Sequence, residues 1–530
     1  MGGRPAYRRG GHKLRRLSKS RILAGLQCPK RLWLEVHNPE LAVITPGLEA
    51  RFAAGHRLND VARSLYPGGI LIKAETPREA LEQTVPVLAG APDDVVVFEA
   101  AVRHEGVFAR PDILIRHGGR WRMVEVKSST SVKPYHLQDT AVQAWVLAGA
   151  GLAPERLSVM HIENGFVYAG DGDYHGLLHE SDVTDEVAPL MAEVPHWVAE
   201  FQRLLGEPMP RIEAGRQCRT PFACPFHDFC TERWPEYHVS LLPRGVGVTE
   251  LLLAEGYEDL RDVPPGRFSD PLHERVWRVT RSGEPALEPG AAELVRGLAY
   301  PRCYLDFETI MFAIPIWRGT RPYQQLPFQW SLHSERADGR LEHAEFLGER
   351  VDLVARDGDG PLRAFVESLL VALGEPDTTA QGQVDRLQGS LDDLLDDRSG
   401  DARGPILVYT HCEQDRLREL AARFPDLAEP IARVIERIVD LYPVAREYYY
   451  HPAMKGSWSI KQVLPTVAPD LDYGALDHVH DGTMAQQAYL ELIDKATGEE
   501  RRARLRAALL AYCAQDTLAL VRLARFFATA

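Results

Sequence analysis

The chain lacks a membrane-length run: nowhere in its 530 residues do about 18 apolar residues follow one another without interruption. A secretory leader is not expected either. The first twenty residues hold seven Lys or Arg and no acid, yet no apolar segment follows, so residues 1–20 read as a basic tail able to attract phosphate. Cysteine is scarce, seven in all, and no two form a CxxC pair, which argues against a zinc ribbon. An odd thiol count without a leader points to a reducing compartment, the cytoplasm, and to metal ligation plus buried thiols rather than disulfides. An excess of positive charge is absent as well. The net charge is −14, so a nucleic-acid partner would have to be met by local basic patches or by metals seated on the acids. No internal repeat is visible.

What is present suffices for packed cores: 45% of residues are hydrophobic. At about 100–200 residues per domain, the length predicts two to four domains. Residues 21–243 mix helix-like and strand-like segments. Residues 244–295 read as a small helical connector, broken at Gly and Pro. From residue 296 to 530 strands and helices alternate, which predicts an α/β domain with a partly parallel sheet. Within it, residues 376–404 carry seven Asp and three Arg among Gly, Gln and Ser, the composition of a disordered acidic insertion.

The segment ARPDILIRHGGRWRMVEVKSS reads as a β-hairpin turning at Gly118-Gly119. A two-residue loop makes His117 face Arg120 and Asp112 face Glu125. Carboxylates directly opposed, with Cβ atoms roughly 5 Å apart, repel unless a cation lies between them, and a hard divalent ion such as Mg²⁺ or Mn²⁺ answers that need. Lys127, two residues after Glu125, shares its face and could orient water or stabilise charge on a phosphate. A solvated sheet face with alternating charges is the plain alternative.

RPD…EVK resembles the signature of the PD-(D/E)xK nucleases, in the RecB-type branch. The resemblance implies that Asp112 and Glu125 bind the catalytic metal and that Lys127 assists the nucleophile. It implies two further residues: His56, on an early helix, completing the metal site, and Gln143, on the helix after the lysine strand, approaching it, with Gln138 second. The aromatic near this glutamine is Trp145, where the family often has Tyr.

Cys218, Cys224 and Cys230 lie in CRTPFACPFHDFC, and Cys28 stands 190 residues before the first of them. By spacing alone they could be buried structural thiols. One early and three late cysteines around a RecB-type core resemble the CRISPR-associated RecB-type exonucleases and the nuclease subunit of AddAB-type helicase–nucleases. There a [4Fe–4S] cluster staples the domain ends; zinc is the alternative. Lys30 and Arg31, beside Cys28, could contact phosphate. Cys303, Cys412 and Cys513 are expected to be small buried hydrophobes.

In YLDFET, Asp306 and Glu308 share one strand face, and in the C-terminal helical stretch Tyr512 and Asp516 are four apart, on one helix face. This pattern resembles the DEDD exonucleases of the RNase H-like fold, in the tyrosine subclass. The resemblance implies two metals held by the acids and a tyrosine that orients the water. For the middle acid, Glu413 fits best, with Asp415 and then Asp440 as alternatives; the usual HNxxFD pattern is missing. AIPIWRGTRPYQQLPFQWSLH, GSWSIKQVLP and YCAQDT resemble an uncharacterised bacterial domain fused behind RecB-type, cysteine-bearing modules. Lys461 of GSWSIK could meet a phosphate.

The reading is a metal-dependent nuclease with two nuclease-like domains, an exonuclease acting on DNA rather than RNA, with no membrane association. An RNA-processing exonuclease using the C-terminal domain, or a DNA-binding scaffold with decayed sites, are the alternatives.

Overall fold

Two adjacent glycines set the register of the first sheet. The computed structural model describes residues 17–43, 55, 57–90, 92–348, 361–375, 403–476 and 479–530. His56 and nearly all of the expected acidic insertion, residues 376–402, lie outside the described residues, as do residues 1–16. The chain is a mixed α/β protein. It divides into two compact units: Met1–Arg233 with Phe312–Ile316 and Thr320–Tyr323, and Trp234–Met311 with Trp317–Gly319 and Gln324–Ala530.

The first unit opens with β1 (Leu17–Ser18), α1 (Lys19–Gln27) and α2 (Pro29–His37). Regular structure therefore begins inside the stretch read as a tail. Ser18 caps α1 by accepting from the Arg21 N–H, and Pro29, at the first position of α2, forces the break at Cys28. Next come β2 (Ile70–Leu71), α3 (Pro77–Ala89), β3 (Val95–Phe98), β4 (Val102–His104), β5 (Val107–Ala109), β6 (Ile113–His117) and β7 (Arg120–Lys127). The unit continues with α4 (Pro134–Gly149), β8 (Pro154–Ile162), β9 (Leu178–Asp182), α5 (Thr184–Leu204) and the short α6 (His227–Thr231). Gly118 and Gly119 have φ of +56° and +76°, the left-handed values a two-residue hairpin turn needs. The β6–β7 register runs from His117↔Arg120 to Ile113↔Val124, as expected, so Asp112 stands opposite Glu125 at the open end. The six-stranded sheet has the order β2-β3-β6-β7-β8-β9. Strands β7 and β8 are parallel, bridged by α4 as a crossover. Met123 faces the larger core with α4 and α5, whereas Val124 and Val126 face a second core around Leu58 and Ala62.

The second unit begins with α7 (Val246–Ala254), α8 (Pro271–Ser282), β10 (Ala286–Leu287) and α9 (Gly290–Arg296). The stretch read as a connector is thus helical, but Leu252, Val276 and Trp277 pack into this unit's core rather than linking two bodies. The sheet strands are β11 (Arg302–Met311), β12 (Gln325–Glu335), β13 (Leu341–Leu347), β14 (Ile406–Val408) and β15 (Ile438–Asp440). Between and after them lie α10 (Leu362–Ala372), α11 (Cys412–Arg423), α12 (Ala428–Glu436), α13 (Leu441–Tyr448), β16 (Tyr449–Tyr450), α14 (Ile460–Val467), α15 (Gly482–Ile493) and α16 (Glu499–Phe527). The sheet order is β13-β12-β11-β14-β15, an antiparallel meander extended by two strands parallel to β11. Helix α16, rich in Ala, Leu and Arg, spans 29 residues and lies on β11 and β12. It is long and apolar enough to cross a membrane by composition, but 67% of its apolar window is buried, which makes it a core helix here.

Candidate metal centres

In the second unit, β11 and α16 converge. Strand β11 offers Asp306 and Glu308 from one face, and α16 offers Asp516. Ligand oxygens of these three residues lie within 4.8 Å of one another. Among the described residues no other group of three or more His, Cys, Asp or Glu is drawn together so closely. Three carboxyls in one buried place cannot all ionise cheaply. Burial and then Asp516 push Glu308 up to about 8, burial pushes Asp516 up to about 6, and Asp306 rises well above the carboxylate range through burial, Asp516 and Glu413. Lys461 opposes the shift on Glu308 and Asp516. Its ammonium stands 6.0 Å from the Tyr473 ring centre and 5.8 Å from that of Tyr512.

Tyr512 hydrogen-bonds to Asp516, one helical turn on, as the i, i+4 spacing expects. The sequence reading missed a second tyrosine: the Tyr473 hydroxyl donates to Asp516 Oδ1 at 2.5 Å. Cys513, expected as an inert hydrophobe, is buried, but its thiol lies 3.8 Å from Asp306 Oδ2 and donates to it. Cys303 is buried as expected, whereas Cys412, at the first position of α11, is exposed, against expectation.

Of the three candidates for a fourth acid, the structure favours Glu413. Thr410, at φ +88°, makes a strained turn after β14, and α11 starts two residues later. Glu413 is buried, accepts from the Phe307 N–H of β11, and has an Oε2 without a partner. It raises Asp306 and Glu308 by its charge without joining the group of three. Asp440 is occupied in accepting the Thr410 and Tyr442 N–H groups, and Asp415 pairs with Arg418.

In the first unit, Asp112 Oδ2 accepts from the Val126 N–H at 2.8 Å and Oδ1 from Asn59 at 3.2 Å. Glu125 is 1% exposed. The cation beside it is a pair of ammoniums: Lys127 Nζ lies 2.8 Å and Lys19 Nζ 2.5 Å from Glu125 Oε1. Both also reach Asp139, on α4, which Lys127 bonds and Lys19 approaches to 3.6 Å. Neither Lys19 nor Asp139 was picked out from the sequence. Lys19 lay in the presumed tail; Asp139, four residues before Gln143 and so on the same helix face, could have been found by that spacing. Burial opposes charge on Glu125, but Lys127 and Lys19 outweigh it and hold the carboxyl below its ordinary range. Burial and Glu125 push Asp112 up to about 7. Gln143 is fully buried, and neither its amide oxygen nor its nitrogen has a partner; Glu125 Oε2 and Asp139 Oδ1 also lack one. Gln138 is only half-buried.

The four cysteines approach from chain segments 190 residues apart. The Gln27 side chain ties Cys28's turn to the late segment through Gln217 O (2.7 Å) and Phe222 O (2.8 Å), and Cys224 N donates to Cys218 O at 2.8 Å. All four thiols are free. Burial raises Cys224 and Cys230, and the charges of Cys218 and Cys28 add to both. Lys30 bonds Ile212 O and the Cys230 thiol, and Arg31 bonds Gln27 and Glu35.

A family model described as a domain of unknown function (DUF2779) matches residues 303–459, a range that holds Asp306, Glu308 and Glu413 but neither Tyr512 nor Asp516. A solved structure titled "Crystal structure of SSO0001" is similar at 16% identity; the match covers 40% of this chain and 85% of that one, with a TM-score of 0.20. No curated protein matches the chain.

Proposed function

We propose that the chain is a divalent-metal-dependent nuclease that hydrolyses phosphodiester bonds in DNA from an end. The observation that carries this is the oxygen-only group of Asp306, Glu308 and Asp516, the first half-buried and the other two buried, and mutually repulsive. Such a donor set suits a hard divalent ion, Mg²⁺, Mn²⁺ or Ca²⁺. Bound there, the ions would supply an activated water and stabilise the leaving oxygen. The chain's own part is to hold the acids. Tyr473 and Tyr512 fix Asp516, the Cys513 thiol bonds Asp306, and Lys461 places a positive charge beside Glu308 and Asp516. The meander extended by two parallel strands, with α16 across it, supports an RNase H-like reading of this unit.

The first unit carries the second nuclease-like site of the proposal, a RecB-type PD-(D/E)xK domain. The expected hairpin register, the buried Glu125 and the Lys127 ammonium on it support that reading. Asp112 and Glu125 would hold the metal, with Gln143 alongside. The proposal includes a [4Fe–4S] cluster on Cys28, Cys218, Cys224 and Cys230, all free thiols, which would join the two ends of the unit. The test is incubation of the purified protein with end-labelled single- and double-stranded DNA and RNA. Cleavage of DNA that needs Mg²⁺ or Mn²⁺ and stops with EDTA supports the proposal; metal-independent cleavage, or none, refutes it, and cleavage of RNA alone reassigns the substrate.

A further inference from the structure

Lys19 is held where a stray surface lysine would not be. Leu17 and Ser18 pair in parallel with Val107 and Phe108, and Ser18 caps α1, so the backbone is fixed on both sides of the residue. Its ammonium is drawn in onto Glu125 and Asp139, and its side chain is 24% exposed. This is the wrong end of a helix for a cation, because the N-terminal N–H groups already present positive charge. Helix stability therefore does not explain a lysine here.

The local charge count supplies the explanation. Lys19 and Lys127 face Glu125 and Asp139, two charges against two. Both ammoniums crowd onto Glu125 Oε1 while Oε2 has no partner. A divalent ion between Asp112 and Glu125 adds two positive charges and, through Asp112, at most one negative. One ammonium then becomes surplus. Lys127 is bound to β7 and hydrogen-bonded to Asp139, whereas Lys19 only approaches Asp139, at 3.6 Å, and is the more exposed of the two (24% against 18%). Lys19 touches Glu125 the more closely, but that is its one hydrogen bond to these acids against two for Lys127, so its release breaks fewer bonds.

We infer that Lys19 is a substrate-contacting residue of the first unit's site: in the metal-free protein it rests on Glu125, and with a divalent ion in place its ammonium turns to a non-bridging oxygen of the substrate phosphate. This rests on the metal-dependent nuclease reading above. The test uses the full-length chain with Asp516→Asn, so that the other site is silent, and compares Lys19→Gln, Lys19→Arg and the parent. Two quantities are read: Mn²⁺ affinity by electron paramagnetic resonance, and DNA affinity with Ca²⁺ as a non-cleaving ion at several salt concentrations. Lys19→Gln should bind Mn²⁺ as tightly as the parent or more so. It should lose about 100-fold in kcat/KM for cleavage, and its salt slope should fall by about one counterion. Lys19→Arg should recover part of each loss. Mn²⁺ affinity that falls in step with cleavage would overturn the inference, since Lys19 would then merely position Glu125. Unchanged cleavage and salt slope would overturn it as well. If the parent and its Glu125→Gln variant bind the same number of Mn²⁺ ions, the metal site itself fails and takes the inference with it.

Discussion

Replacing Glu308 by Gln should stabilise the metal-free protein. Glu308 sits 8% exposed beside Asp306 and Asp516, and burial together with Asp516 lifts it to about 8 from an ordinary 4.5. The folded state thus holds a proton that the unfolded chain releases, and stability must fall as pH rises from about 4.5 to about 8. At pH 7.5 three of those pH units have been crossed, a cost of roughly 4 kcal/mol at about 1.36 kcal/mol per unit. Gln cannot ionise, although leaving its buried amide unpaired returns roughly 1–3 kcal/mol. The net gain is roughly 1–3 kcal/mol, or about 2–6 °C in the melting of a unit this size. Thermal melts in EDTA at pH 7.5 and pH 5 provide the assay. The gain should appear at pH 7.5 and vanish or reverse at pH 5, where only about half a pH unit has been crossed, and added Mn²⁺ should stabilise wild type more than the variant. A variant that melts at or below wild type in EDTA at pH 7.5 would refute the repulsive-cluster reasoning.

Glu125→Ala should destabilise the first unit by about 3–5 kcal/mol, because it removes the carboxylate that Lys19 and Lys127 both touch and leaves Asp139 as their remaining ion-pair partner; denaturant melts in EDTA check this, and an unchanged midpoint would contradict it. Glu375 has a fully buried side chain and takes Arg403, Arg433 and Arg437 at 3.3, 2.8 and 3.1 Å, so Glu375→Ala should cost the second unit a similar amount, read from the same melts. Protein purified without oxygen should carry iron and sulfide and absorb broadly in the visible blue, and Cys28→Ser should remove both; stoichiometric zinc in colourless protein would rule the cluster out.

The parts of both sites that were legible in the sequence are those set by short-range geometry. Gly118-Gly119 fixes a two-residue turn, and the turn fixes that Glu125 stands opposite Asp112. The two-residue spacing of Asp306 and Glu308 and the four-residue spacing of Tyr512 and Asp516 likewise put each pair on one face before any fold is known. What stayed hidden is long-range. Lys19 meets Glu125 across 106 residues and Tyr473 meets Asp516 across 43, and no local pattern distinguishes such residues from solvated neighbours. For the same reason the opposed carboxylates read as a repelling pair that a divalent ion would bridge, with no second lysine in view. The ammonium of Lys19, brought in from a stretch read as a tail, adds to that of Lys127, and together they hold Glu125 below its ordinary range.

The most direct measurement compares the cleavage products of end-labelled DNA in Mn²⁺ for wild type, Glu125→Gln, Asp516→Asn and the double variant, with circular dichroism to show that each is folded. The residues lie in separate units and share no ligand, so their effects should add. Each single variant should lose a different component of the product pattern, and the double variant should be folded and inert. A folded double variant that cleaves like wild type would contradict the assignment of this chain as a metal-dependent nuclease acting through these carboxylates.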